Sequence, residues 1–559
     1  MARKRPDLDT PHADETWRRI ARIGAYARAE RLPLRRGAHG VGEELRAREA
    51  FSPTARERAF PLRACRYVPR RRFQRALAAR FEPELAEAAR SRLVATAPTW
   101  SAARLLSTPQ KAALALFILA AAGFFAVAPL AALIALNAAI TAYFLLAIGF
   151  RIVLTAVALK EPQAAPAPAL AEDALPTITI LAPLFREAAC LPGLDAALDR
   201  LDYPKDRLDV KLLLEAEDRE TIAAARQLGL DRKYHLVVVP PSRPQTKPKA
   251  CNHGLYLARG EIVGIYDAED EPEPDQLRKV AAAFAAGGDD LACVQAQLNY
   301  YNADENWLTR LFALEYSLWF DLFLPALERL RVPMPLGGTS NFFRTQILVD
   351  LGGWDPYNVT EDADLGLRLA RRGWRATVID STTFEEANCR IANWLRQRSR
   401  WMKGHLQTWC VHMRGPAPAR SAAGWRMFAA TQLFLGGTVF SALINPFLWA
   451  VFVFWLATRS DAVDALFPGP LMALNLFALL AGNAFFVWLA TIAPLKRGTV
   501  ELAPAALFAP VYWWLSSFAA YRAVRQLLAR PHFWEKTEHM ISPAARRRRA
   551  VASTGGTGA

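Results

Sequence analysis

Three acid-bearing segments in this 559-residue chain each close a run of aliphatic and β-branched residues. They are Pro183-Leu184-Phe185-Arg186-Glu187, Glu215-Ala216-Glu217-Asp218 and Asp267-Ala268-Glu269-Asp270. Carboxylates gathered at neighbouring strand ends repel one another unless a cation or a donor-rich ligand relieves them. A hard divalent ion shared with phosphate oxygens would do so, because Mg²⁺ takes one or two carboxylates and completes its shell with water and substrate oxygens. Solvated loop acids are the plain alternative, and a single acidic turn would favour that alternative. Between the second and third of these segments lies Thr246-Lys247-Pro248-Lys249-Ala250-Cys251-Asn252, where Lys249 and Asn252 can bring a cation and an amide to a nucleotide. Further on come Gly337-Gly338-Thr339-Ser340-Asn341, Thr360-Glu361-Asp362 and Gln397-Arg398-Ser399-Arg400-Trp401. On a helix Gln397, Arg400 and Trp401 fall at i, i+3 and i+4 and share a face. Structural readings compete at each place. Thr360 to Asp362 ahead of Leu365-Gly366-Leu367 makes a good helix start, Trp394 to Met402 reads as an interfacial amphipathic helix, Gly337 to Asn341 can be a tight turn, and Trp354 reads as packing.

The elements that must position these residues can be outlined from the pattern. Thr177–Phe185, Asp209–Glu215, Tyr234–Pro240, Glu261–Asp267 and Ala292–Leu298 read as strands separated by helical stretches, which predicts a mostly parallel sheet covered by helices. Ligands of such sheets sit beyond the carboxyl ends of the strands. The acids stand at those ends. Around this region lie uncharged runs of membrane length: Ala112–Phe150, Met427–Thr458, Ala465–Leu495 and Leu502–Tyr521. The first is long enough for a hairpin and has Pro129 near its middle. The expected organisation is a basic, mostly helical N-terminal domain over 1–105, a transmembrane hairpin over 112–151 and a Pro/Ala linker over 161–176. An α/β domain over 177–410 with an interfacial helix at its end follows, then transmembrane helices over 427–521 and a basic tail over 522–559.

With 69 Lys+Arg against 53 Asp+Glu the chain carries a formal charge of +16. The surplus lies in the two tails and beside the apolar runs; residues 1–105 show no aromatic interleaving, zinc spacing or groove-reading motif, so anionic lipid and not nucleic acid is the expected partner. No apolar stretch follows the basic start, which places that start in the cytosol. The basic flanks Lys111, Arg151 and Lys160 put both ends of the hairpin there too, and an even number of crossings near six would return the tail to the same side. Six scattered cysteines with no CxxC pair support neither a disulfide framework nor a thiolate metal site.

In their order and spacing these motifs resemble the membrane-embedded family 2 glycosyltransferases, the group of cellulose and hyaluronan synthases. The quoted acids, the D-x-D-like Asp267-Ala268-Glu269, the Thr-Glu-Asp triplet and the Q-x-x-R-W pentapeptide follow one another as in that family. The resemblance implies a GT-A (nucleotide-diphospho-sugar transferase, Rossmann-like) cytosolic domain inserted between transmembrane helices, in a multi-pass protein of a bacterial-type inner membrane. It implies an inverting, processive hexosyltransferase that builds and exports a β-linked polysaccharide from a nucleotide-sugar, a UDP-sugar before others, with Mg²⁺ or Mn²⁺. Under it Asp267 and Glu269 hold the metal, with Glu269 replacing the family's second Asp. Pro183, Phe185, Glu187, Glu217, Asp218, Lys249, Asn252, Asp267 and Arg400 bind the donor, Glu217 standing where the family has Asp. Asp362 is the general base. Gly338, Thr339, Ser340, Glu361, Gln397, Arg398 and Trp401 surround the acceptor, the indole stacking on its sugar. The implied partners are the donor, the growing polysaccharide, membrane lipid and envelope export proteins. Single-sugar transfer to a polyprenyl phosphate and an inactive membrane subunit of an envelope complex are the alternatives.

Overall fold

A computed structural model describes residues 34–35, 65–66, 70–160, 167–415, 422–539 and 542–547. Most of residues 1–69, part of the 161–176 linker and the last basic residues, all assigned above, lie outside the described residues.

The strand runs become β1 (Ile178–Leu184), β2 (Leu208–Glu215), β3 (His235–Val239), β4 (Ile262–Ile265) and β6 (Leu291–Tyr300), with β5 (Glu271–Pro272), β7 (Asn341–Arg344) and β8 (Arg375–Glu385) completing one sheet. Their order is β3-β2-β1-β4-β7-β6-β8-β5. Burial on both faces explains the nearly unbroken aliphatic strands. In β1, Ile178, Ile180, Ala182 and Leu184 point into one apolar layer with Leu194, Leu198, Leu277 and Phe284. Leu181 points into the other, with Leu213, Cys251, Leu255 and Trp354. The sheet is mixed where the sequence predicts a mostly parallel one. β1 to β4 pair in parallel, as do β6 and β8, while β7 runs antiparallel to both β4 and β6 and β5 antiparallel to β8. β7 begins at Asn341, the last residue of the Gly337–Asn341 stretch read as a tight turn, and β8 is rich in Thr and Ser with a register shift at Ile379/Thr382.

Helices Arg70–Arg80 and Glu82–Thr96 belong to the α/β body, since Leu77, Leu85 and Ala88 pack in the same layer as Leu213 and Leu255. The next segment is pinned by Asp355, which accepts from Ser101 Oγ (2.9 Å) and the Ala102 amide (2.6 Å).

Five helices are long and apolar enough to cross a membrane: Thr108–Val127, Pro129–Lys160, Gly424–Thr458, Pro470–Arg497 and Val500–Ala529. The first two meet at Ala128, ahead of Pro129. Gln110, near the start of the pair, donates to the Cys410 carbonyl beside the α/β domain, Asn137 donates to the Leu466 carbonyl in the turn between the third and fourth helices, and Val157 accepts from Arg329. The pair therefore leaves the α/β domain and returns to it. The fifth helix is laid out differently. Tyr512 and Trp394 pack at 4.9 Å, Ala519 and Ala520 touch Met402, and Pro531 just past its end accepts from Gln407. It runs alongside Ile391–His412, both its ends on the α/β side. The tail that follows it stays with the α/β domain, Lys403 Nζ donating to the Phe533 carbonyl at 2.6 Å.

Candidate active site

A cavity of about 1860 Å³ begins at the carboxyl ends of β1, β2 and β4 and extends between the membrane helices. Its α/β end is lined by Pro183, Phe185, Glu187, Glu217, Asp267, Glu269, Gly338, Thr339, Glu361, Asp362, Gln397, Arg398, Arg400 and Trp401, residues that the sequence nominates from six separate segments. Asp218, Lys249, Asn252 and Ser340 are placed otherwise. Asp218 is the N-cap of Arg219–Gln227, its Oδ1 accepting from Thr221 N at 3.1 Å and its Oδ2 from the Arg186 amide. Lys249 Nζ is spent on Glu215 (2.9 Å), both buried. Asn252 clamps the chain at Trp354, accepting from its amide (2.9 Å) and donating to its carbonyl (2.8 Å). Ser340 is buried and donates to Thr383 Oγ1 (2.6 Å). These four brace the site from behind.

Lys247 occupies the place that the sequence gives to Lys249. At the start of helix Lys247–Leu255, its Nζ reaches Asp267 Oδ2 and the Gly338 carbonyl, both at 2.7 Å. Burial opposes its charge, but Asp267 and Glu361 outweigh burial and hold the ammonium pKa above its ordinary range. Asp270 lies behind Asp267, its Oδ2 accepting from the Asp267 amide at 2.7 Å and its Oδ1 buried without a partner. Burial and then its neighbours Asp267 and Glu269 push its pKa well up. Glu385, at the end of β8, lines the same cavity and is raised by burial and by these three acids.

The carboxylates of the triplet sit in the first turn of Glu361–Arg371, where the helix dipole favours negative charge. Thr360 takes the N-cap position without capping through its hydroxyl. Burial and Asp362 raise the pKa of Glu361 to about 8, and burial raises that of Asp362 against the opposing pull of the Ala363 amide and Lys247. Thr360 abuts Gly404 of Ile391–His412 so closely that a Cβ there would lie 2.4 Å from Thr360 Oγ1.

Within the pentapeptide the two arginines divide. Arg398 turns to protein, meeting both oxygens of Glu315 and the Tyr512 hydroxyl (2.6 Å) among four aromatic rings. Arg400 faces the cavity, where Glu361, Asp362 and Asp267 are the charges acting on it, and lies 4.5 Å over the Trp534 ring. Trp401 stacks on Tyr316 at 6.3 Å with its own ring on the cavity wall.

The tail is the part that sequence reasoning missed. Trp534, Lys536 and His539 fold back over the strand ends, Lys536 pairing with Glu187 and His539 Nδ1 with Glu269 Oε1 at 2.5 Å. Burial disfavours the imidazolium, but Glu269 raises the His539 pKa to about 9. The one signal available was the aromatic and charged string Phe533-Trp534-Glu535-Lys536-Thr537-Glu538-His539, which exceeds what an anionic-lipid patch requires.

No group of three or more His, Cys, Asp or Glu among the described residues could cage a metal ion. Asp267 and Glu269 nonetheless suit a cation that draws the rest of its shell from phosphate and water, because both face the cavity and each is paired there with a single side chain, Lys247 and His539.

Beyond the tryptophan the cavity continues past Phe144 and Ile148, Thr438, Ser441 and Asn445, Asn483 and Phe486, and Ser516 and Ser517, so hydroxyls and amides line it between the long apolar helices. π-helical turns at Leu318–Phe323, Thr431–Gly436 and Phe477–Ala481 each contribute to this wall, as such bulges do at functional sites.

Residues 262–516 match the family described as "Glycosyl transferase family group 2". Among curated proteins, glucomannan 4-beta-mannosyltransferase 1 of Oryza sativa is 28% identical over 246 residues, 42% of this chain and 47% of that protein. The beta-monoglucosyldiacylglycerol synthase of Trichormus variabilis is 29% identical over 275 residues, 47% of this chain and 57% of that protein. The chain thus spans about half the length of the curated relatives it matches. A mannosyltransferase of Pyrobaculum calidifontis, solved with GDP-Man and Mn²⁺, is 22% identical with a TM-score of 0.46, covering 71% of this chain and 99% of that one.

Proposed function

We propose that this chain, which carries a family 2 glycosyltransferase domain, transfers sugar from a nucleotide diphosphate donor to an acceptor glycan held in the cavity, and repeats the transfer to extend a β-linked polysaccharide. The observation that carries this reading is the continuity of the cavity from Asp267 and Glu269, past Asp362 and Trp401, to Asn445 and Asn483 between the membrane helices. Polar groups at that depth are costly against lipid tails and suit a hydroxyl-rich chain in transit.

In this reading the nucleoside lies against Pro183, Phe185 and Glu217, and the diphosphate lies between Asp267, Arg400 and Lys536, with a UDP-sugar as the favoured donor. Asp267 and Glu269 would hold Mg²⁺ or Mn²⁺, which supplies positive charge against the leaving diphosphate. Arg400 presents a planar fork suited to phosphate oxygens. Lys536 and Lys247, each now held by a carboxylate, turn to the donor when it enters. The acceptor hydroxyl oxygen attacks the anomeric carbon as the bond to the diphosphate breaks, and its proton passes to Asp362. One displacement with one base inverts the configuration. Because burial raises the Asp362 pKa, the base is poised nearer neutrality than a free carboxylate. Trp401, backed by Tyr316, gives the acceptor ring a flat face to rest on. The basic flanks favour a cytosolic catalytic domain.

Membranes holding the full chain, incubated with labelled nucleotide-sugars and Mn²⁺, test this. The expected result is a high-molecular-weight glycan that Asp362→Asn abolishes. A lipid-extractable monosaccharide would favour single transfer instead, and turnover of no donor by the wild-type chain would sink the reading.

A further inference from the structure

Near the membrane, the cavity wall holds a cation that the transfer step does not use. Arg151 lies on Pro129–Lys160 and faces the cavity beside Ala147 and Ile148. Its guanidinium stands 4.9 Å from the Phe486 ring, and its hydrogen bond is a long one, 3.4 Å, back to the Ala147 carbonyl of its own helix. The titratable group acting on it is the Tyr143 phenol; no carboxylate does so among the described residues. Three other cations of the site differ, for Arg398 has Glu315, Lys247 has Asp267 and Lys536 has Glu187.

A guanidinium carries five donors in a rigid fork, and one at a cavity wall whose hydrogen bond is a single long one to its own helix has donors left for an anion. Its surroundings fix it in place. Three helices converge there: Phe150 packs on Phe434 at 5.4 Å, and a Cβ on Gly482 would lie 2.6 Å from Ile148 Cδ1. Depth indicates the source of the anion. Arg151 follows Pro129 by 22 positions, roughly 33 Å of helix, which is close to the thickness of a hydrocarbon core. With Pro129 at the far surface, Arg151 stands at the level of the lipid phosphates on the α/β side, turned into the cavity and not towards the bilayer.

We propose that Arg151 seats a phosphate ester carried by a membrane lipid, its headgroup entering the cavity from the leaflet next to the α/β domain. The proposal rests on the reading that this cavity receives the acceptor, and names the lipid phosphate as a ligand of its membrane end. Guanidinium and phosphate meet through two parallel hydrogen bonds, a geometry that an ammonium reproduces only in part.

The test uses the full-length protein in a non-ionic detergent, with binding of four probes measured by native mass spectrometry: a long-chain prenyl phosphate, phosphatidylglycerol, the matching neutral prenol and inorganic phosphate. Wild-type protein is expected to retain one or both phosphate lipids and not the prenol, and millimolar inorganic phosphate should fail to displace them. The comparison of the two lipids tells a monoester seat from a phospholipid seat. Arg151→Gln should weaken retention about tenfold or more, and Arg151→Lys should recover part of it. Equal retention by wild type and Arg151→Gln, or equal retention of prenol and prenyl phosphate, overturns the proposal. Full displacement by inorganic phosphate overturns its lipid component. If Arg151→Gln does not fold, Arg151→Lys at wild-type affinity for every probe also counts against it. Failure of the wild-type protein to bind any nucleotide-sugar sinks the glycosyl-transfer reading and not this one.

Discussion

The acids at the end of β2 and those at the end of β4 look alike in sequence and are neutralised in opposite ways. At β2, Glu215 is buried against Lys249, and Asp218 caps a helix while holding the Arg186 amide. Each partner sits within the α/β body. At β4, Asp267 and Glu269 face the cavity and are paired with Lys247 and with His539 from the tail, 270 residues away. An acidic run becomes a ligand site when the groups neutralising it can leave. If Asp267 and Glu269 hold the donor as proposed, the identity and mobility of the counter-ion, more than the number of acids, separate a brace from a binding site.

The largest effect that would sharpen this contrast is kinetic. Asp267→Asn should lower sugar transfer by about 10²–10³-fold with the melting temperature within a degree or two of wild type, and a large loss of stability would erase the distinction. The mirror experiment removes the brace. Lys249→Met leaves Glu215 ionisable and buried, and should cost about 3–5 kcal/mol of stability in denaturant unfolding, while a variant as stable as wild type would show that β2 is no brace. A smaller effect concerns pH. Lys247 lowers the pKa of Asp362, so Lys247→Met should move the acid limb of the pH-rate profile further up, since the base stays protonated to higher pH. An unmoved or lowered limb would place Lys247 outside the field of the base. The smallest is expected at the rim, where Glu217→Gln removes an exposed carboxylate that lines the cavity without a cation bound to it. It should raise the donor KM severalfold with kcat nearly constant, and an equal fall in kcat would assign Glu217 to the reacting centre.

The alternation of aliphatic runs and helical stretches made five strands, β1 to β4 and β6, readable, because a run of aliphatic and β-branched residues leaves a strong local signature. β7 and β8 lacked one, the first because it starts inside a Gly-rich stretch that reads as a turn and the second for its Thr and Ser. Lys247 and Lys249 show the same limit at the scale of one turn. Two residues apart on a short helix, they point to cavity and core, and no apolar stripe in Lys247–Leu255 marks which face is which. The pairing of Lys536 and His539 with Glu187 and Glu269 joins residues 349 and 270 positions apart. No local pattern encodes such a contact; it arises because the last long helix lies along Ile391–His412 and delivers the tail to the strand ends.

The contact between Gly404 and Thr360 has a consequence for how the enzyme sits in its membrane. Ile391–His412 rests on the bilayer surface in the functional reading, and with no side chain at Gly404 to cushion the contact, its backbone bears directly on the residue that precedes Glu361 and Asp362. In that reading lipid thickness and lateral pressure would set the height of that helix, and the position of Asp362 would follow it. The bilayer would then act as a mechanical part of the proposed site, and one sequence in membranes of different thickness would run at different rates with every cavity residue unchanged.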